Sequence, residues 1–109
     1  MPDEKRIITA KLALLDRQEK IGRGDHQVVE VYRDPTGRCI RFDINCARGR
    51  SSPSTAKVSV LDGLRWRFLH DLIDPGDDPG FAIHRMFPIV ADLLEWSEED
   101  REGLGAVVE

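Results

Sequence analysis

Tyr32, Arg41, Arg48, Arg50, Lys57 and Lys11 are the side chains best suited to a recognisable chemistry. A flat aromatic ring stacks on an unpaired base whatever its identity, and cations beside it neutralise phosphates. Such a set suits a single-stranded nucleic acid, provided that one surface carries it. Tyr32 packing on the Arg41 stem of an ordinary solvated sheet face would account for the same residues.

Other chemistries find less support. Gly22-Arg23-Gly24 lacks the third glycine of a dinucleotide fingerprint, and no G-x-S-x-G elbow occurs. Cys39 and Cys46 fall on opposite faces of one strand, which separates them as metal ligands and reads as one surface and one core thiol. His26, His70 and His84 have no ligand spacing, and Asp74, Asp77 and Asp78 lack the alternation of a calcium loop. Arg23-Gly24-Asp25 spells an adhesion tripeptide but reads as a turn. Trp66 and Trp96 read as core or interface anchors. No nucleophile–base pair can be placed, so the expectation is a non-catalytic domain with no catalytic residues, metal or cofactor.

The elements that would position the candidate set follow from periodicity. Ile40, Phe42, Ile44 and Cys46 alternate with Cys39, Arg41, Asp43 and Asn45, the pattern of a half-buried strand over 38–46. Residues 27–33 make a second strand, joined to it through Asp34-Pro35-Thr36-Gly37, a hairpin turn. Loop length decides the face. A four-residue loop puts Val31 opposite Phe42, Val29 opposite Ile44, and Tyr32 opposite Arg41 on the outer face. A three-residue loop with a Gly37 bulge would set Glu30 opposite Phe42. The four-residue loop is preferred because it buries no acid. The outer face then shows Lys11, Tyr32, Arg41, Asn45, Lys57 and Ser59, with Arg48 and Arg50 on the neighbouring polar loop 47–56.

Lys57 to Val60 alternates as a short strand. Asp62 is placed to cap a helix over 64–73, where Leu61, Leu64, Phe68, Leu69, Leu72 and Ile73 share a face. Residues 74–80 stop it. Asp78 and Pro79 then open a second helix, and Pro88 is expected to kink or break it. Ser97 caps a last short helix with Glu98, Glu99 and Asp100 at its positive end. Near the start, Ile8, Ala10, Leu12 and Leu14 alternate as a strand, although Ile8, Leu12 and Leu15 also fit a helix.

Length and charge bound the classes. The sequence has 109 residues, 40% hydrophobic and 33% charged, as one soluble domain over 1–109 would have. Its formal charge is −4, so no global basic field draws it to nucleic acid or anionic lipid. The charge is uneven, however. Residues 33–57 carry six cations against Asp34 and Asp43, net +4, while residues 71–109 carry eleven acids against Arg85 and Arg101, net −9. No apolar run reaches a membrane span, the first residues lack a leader's cleavage pattern, and two cysteines suit a reducing cytoplasm.

The text Lys57-Val58-Ser59-Val60 followed by Trp66-x-x-Leu69-x-x-x-Ile73 resembles the last strand and helix of the positive cofactor four family of transcriptional coactivators and its Whirly and PUR-alpha relatives. The hairpin turn is similar too. The resemblance covers residues 7–73 and leaves 74–109 unmatched. It implies a dimer that binds single-stranded DNA through basic and aromatic side chains on a curved sheet.

The expectation is therefore an α+β fold. An antiparallel sheet of about four strands is followed by a helix (7–73), with further helices of an acidic segment (74–109) packed on one face. The expected function is that of a non-catalytic small binding domain, single-stranded nucleic-acid-binding or transcription-related. The alternative is a regulatory module whose acidic carboxyl-terminal helices meet a basic protein partner. A homodimer is expected, because residues 81–96 are apolar on more than one side.

Overall fold

A computed structural model of the chain describes residues 12–47, 54–72, 75–76 and 78–101. Five strands follow one another in space as in sequence, each antiparallel to the last: β1 (Ala13–Ile21), β2 (Asp25–Arg33), β3 (Cys39–Ala47), β4 (Thr55–Asp62) and β5 (Arg65–Leu72). Helix α1 (Pro79–Leu93) packs across β2 to β5 and is followed by the short α2 (Glu98–Arg101). The class is α+β, with five strands rather than about four.

The alternation in β3 sets the two faces. Ile40, Phe42, Ile44 and Cys46 are buried toward α1, beside Val28, Ala56, Val58 and Val60 from the flanking strands. From the helix come Ala82, Ile83, Met86, Phe87, Val90 and Ala91. Tyr32, Phe42 and Phe87 meet edge to face, with ring centroids 5.3 to 5.8 Å apart. The helix thus places most of its apolar side chains on the sheet. Phe81 and Leu93 stay exposed, so the surplus from which a homodimer was expected is largely absorbed.

The hairpin forms, but in the other register. Glu30 pairs with Phe42, Val28 with Ile44, Val31 with Arg41 and Tyr32 with Ile40. This is the three-residue loop, with Gly37 at φ +91°. Asp34 builds it: its carboxylate accepts from the Thr36 and Arg38 amides, and its carbonyl accepts from Gly37 N. Glu30 is accommodated on the helix side because β1 supplies its partner. Arg17 of β1 reaches Glu30 at 2.8 Å, and the Tyr32 hydroxyl donates to the same carboxylate. Tyr32 therefore faces the helix, and Val29 and Val31 face away from it.

The helix expected over 64–73 is strand β5. Asp62 pairs with Arg65 and Leu61 with Trp66 across a two-residue turn, Gly63-Leu64, with Gly63 at φ +65°. A glycine with positive φ at the first central position is the type II′ hairpin pattern. β-pairing wins because Arg65, Trp66, Arg67 and Phe68 alternate with period two and supply the partner that β4 needs. The Trp66-x-x-Leu69 text read as helical lies in this strand, and Ile73 is outside the described residues.

Several other expectations meet the structure. Asp78 caps α1, accepting from the Gly80 and Phe81 amides, with Pro79 at its first turn. Ser97 Oγ accepts from Asp100 N at the start of α2. α1 runs unbroken through Pro88, which sits on the exposed side where water can satisfy the carbonyl one turn back. At the amino end, the described strand is Ala13–Ile21; residues 1–11 lie outside the described part. Both edge strands carry a register irregularity, at Leu14/Asp16 in β1 and opposite Val58/Ser59 in β5, which discourages edge-to-edge pairing.

Candidate nucleic-acid interface

The sheet face turned away from α1 is uncovered among the described residues, and its side chains follow from the ladder. One row runs Val31, Arg41, Ser59, Phe68; the next runs Val29, Asp43, Lys57, Asp71; a third runs Gln27, Asn45, Thr55. Leu61 and Trp66 stand beside the first row, toward the β4–β5 turn.

Two aromatic rings lie open here. Phe68 is 57% exposed and Trp66 38%, and Leu64 at the hairpin tip is fully exposed. The Arg41 guanidinium lies 5.8 Å from the Trp66 ring centroid and bonds Asp43 at 3.1 to 3.2 Å. Trp66 and Asp43 thus both engage Arg41 on this face. Lys57 makes no ion pair among the described residues, although Asp71 is its lateral neighbour. Among the described residues the face is mixed in sign, so an anion would be held here by the local cations Arg41 and Lys57 and by stacking rather than by a broad positive field.

A concavity of about 580 Å³ lies over β2 to β5. Gln27, Asn45, Lys57, Phe68 and Asp71 are among its walls. Asn45 Oδ1 itself is buried below that surface, without a hydrogen-bond partner among the described residues.

Of the residues expected to form the site, Arg41 and Lys57 come together on this face. Tyr32 does not join them. It lies under α1, its ring against Phe42 and Phe87, and burial together with its bond to Glu30 pushes its hydroxyl far above the usual tyrosine range. Lys11, Arg48 and Arg50 lie outside the described residues. The aromatics that do occupy the face, Trp66 and Phe68, were hidden by the helical reading of 64–73. The Asp62-Gly63 dipeptide and the alternation after it were the signals that could have revealed them.

A second polar cluster edges the α1 side of the sheet. Arg17 bridges Glu19 and Glu30, and Glu19 also meets His26 Nε2 at 2.5 Å. These partners hold the Glu19 carboxyl below its ordinary value, the His26 contact first and Arg17 second. The same bonds, to Glu19 and Glu30, raise Arg17. The cluster binds β1 to β2 and leaves no free base. Among the described residues no group of three or more His, Cys, Asp or Glu side chains could hold a metal ion. Likewise, no described helix is long and apolar enough to cross a membrane.

No family model, curated protein or solved structure among known proteins matches this chain.

Proposed function

We propose that this chain is a non-catalytic binding domain whose open sheet face takes single-stranded nucleic acid. The observation that carries the reading is the placement of Trp66 and Phe68, both exposed, on the face that also holds Arg41 and Lys57. Stacking on such rings contributes about 1–3 kcal/mol per base and tolerates any sequence. Arg41, 5.8 Å from the Trp66 ring centroid, can reach a phosphate or lie against a base plane. Helix α1 packs on the opposite face, and the acidic turn Glu98-Glu99-Asp100 follows it. At ~0.1 M salt the screening length is about 10 Å, so the local cations can outweigh the overall charge.

Anisotropy of a labelled oligothymidine at low salt tests this. Binding in the micromolar range should weaken with salt at a log–log slope of roughly −1.4, the value for two phosphate contacts on a single strand. No binding at that concentration would remove the reading.

A second reading rests on a different surface. Arg101 ties α2 to Asp92 Oδ1 and to the Ala91 and Trp96 carbonyls, fixing the acidic turn Glu98-Glu99-Asp100 against the end of α1. A regulatory module that presents this acidic end to a basic protein would use that rigid placement. Loss of partner binding on charge reversal at Glu98, with oligothymidine binding absent throughout, would favour it.

A further inference from the structure

We infer that the outer edge of β1 pairs with the same edge of a second copy of this chain, antiparallel and about a two-fold axis at Gln18, so that two five-stranded sheets become one. All nine residues of β1 are exposed, while α1 packs across β2 to β5. An open edge of this length is a template for another strand. The irregularity at Leu14/Asp16 interrupts it near its start. From Asp16 to Ile21 the ladder to β2 is regular, which leaves a regular edge on the other side.

The hydrogen-bond phase fixes what that edge offers. Gly22 N donates to Asp25 O at 2.9 Å, so these two form a hydrogen-bonded pair. Alternation along the antiparallel ladder then turns the amides and carbonyls of Lys20, Gln18 and Asp16 toward β2, and those of Ile21, Glu19 and Arg17 outward. A second copy must set outward-facing residues opposite outward-facing ones. A register centred on Arg17 opposes that cation to itself, and one centred on Glu19 opposes that acid to itself; like charges directly opposite are destabilising. The register centred on Gln18 sets Arg17 against Glu19 and Asp16 against Lys20. Every charge of the stretch then meets its opposite, the first pair on the α1 side and the second on the open face. Asp16 and Lys20 make no ion pair among the described residues of their own chain. The same register brings Leu15 and Ile21, 44% and 61% exposed, level with one another at both ends. Two-fold symmetry makes each of these contacts twice. Opposed side chains share a face, so the two α1 helices lie on one side of the joined sheet and the two open faces on the other.

Sedimentation equilibrium over a concentration series tests this on the protein free of nucleic acid, so the outcome does not depend on the single-strand reading. A reversible dimer should form and should weaken as salt is raised. Asp16→Lys and Lys20→Asp, both at exposed positions, should each weaken self-association by on the order of tenfold, because each opposes like charges twice. Mixing the two variants should restore dimers at the affinity of the unaltered protein, since one copy of each again places opposite charges across the axis. Damage to the fold would not be repaired by mixing. Monomer at every concentration would overturn the inference and leave the edge to a strand of another protein. A dimer that neither variant weakens, or variants that stay monomeric when mixed, would overturn it too and place any contact elsewhere, as at the exposed Phe81 and Leu93 of α1.

Discussion

The Trp96 indole N–H donates to Asp34 Oδ2 at 2.9 Å, a buried bond between residues 62 apart in sequence. It pins the chain after α1 to the β2–β3 turn. The same carboxylate receives the Thr36 and Arg38 amides through its other oxygen. One acid therefore shapes the turn, and with it the hairpin register, while anchoring the carboxyl-terminal elements to the sheet. Asp34→Ala should lower stability by about 2–3 kcal/mol, since it strands a buried indole donor and two turn amides. Urea unfolding measures this; a loss below half of that range would show the bond to be incidental.

The register makes its own prediction. Val28 is buried beneath α1, whereas Val31 is half-buried on the open face. Val28→Thr should cost more than about 1 kcal/mol and Val31→Thr less, because only the former puts a hydroxyl into the core. Phe42→Ala, at a fully buried position, should cost roughly 3–5 kcal/mol. The reverse order for the two valines would restore the four-residue loop.

Two ionisations set opposite pH limits. Glu19 is held below its ordinary carboxyl value in the folded chain, so its contribution is present above the unfolded value and is lost as pH falls through the folded one. Glu19→Gln should flatten the acid limb of the stability curve, by a small amount because the group is exposed. Tyr32 is shifted upward by burial and by Glu30. Above pH 10 the unfolded chain loses that proton while the folded chain keeps it, so stability falls as pH rises. Tyr32→Phe keeps the ring contacts and should remove this alkaline slope; chemical denaturation from pH 9 to pH 11 (roughly one unit either side of the ordinary tyrosine value) would show it.

Much of the fold was legible from local pattern, and the failures came from partners far along the chain. The alternation at Ile40 to Cys46 identified β3, and Asp78-Pro79 identified the start of α1, because period and capping are local properties. The hairpin register was not, since Glu30 becomes acceptable only when Arg17 arrives from β1. Residues 64–73 satisfied a helical period and a strand period at once, and the need of β4 for a neighbour decided between them. That error also moved the site. Arg41 and Lys57 were legible as surface cations of strands, but the rings beside them, Trp66 and Phe68, became visible only once β5 was placed.

Phe68 separates recognition from folding. Its ring is exposed on the open face, so Phe68→Ala should change thermal stability little while weakening oligothymidine binding by about 1–3 kcal/mol, with the salt slope unchanged. Lys57→Gln should instead shallow the slope by about 0.7.

The two tryptophans give the most direct test of the central claim. Trp66 lies on the open face, and Trp96 is buried beyond α1 with its N–H on Asp34. A ¹⁵N-labelled sample resolves two indole N–H signals, each assigned by Trp→Phe substitution. On titration with oligothymidine at low salt, the Trp66 signal should move to saturation while the Trp96 signal stays in place. A Trp66 signal that does not move, or movement confined to Trp96 and the amides of residues 92–101, would contradict binding at the open sheet face.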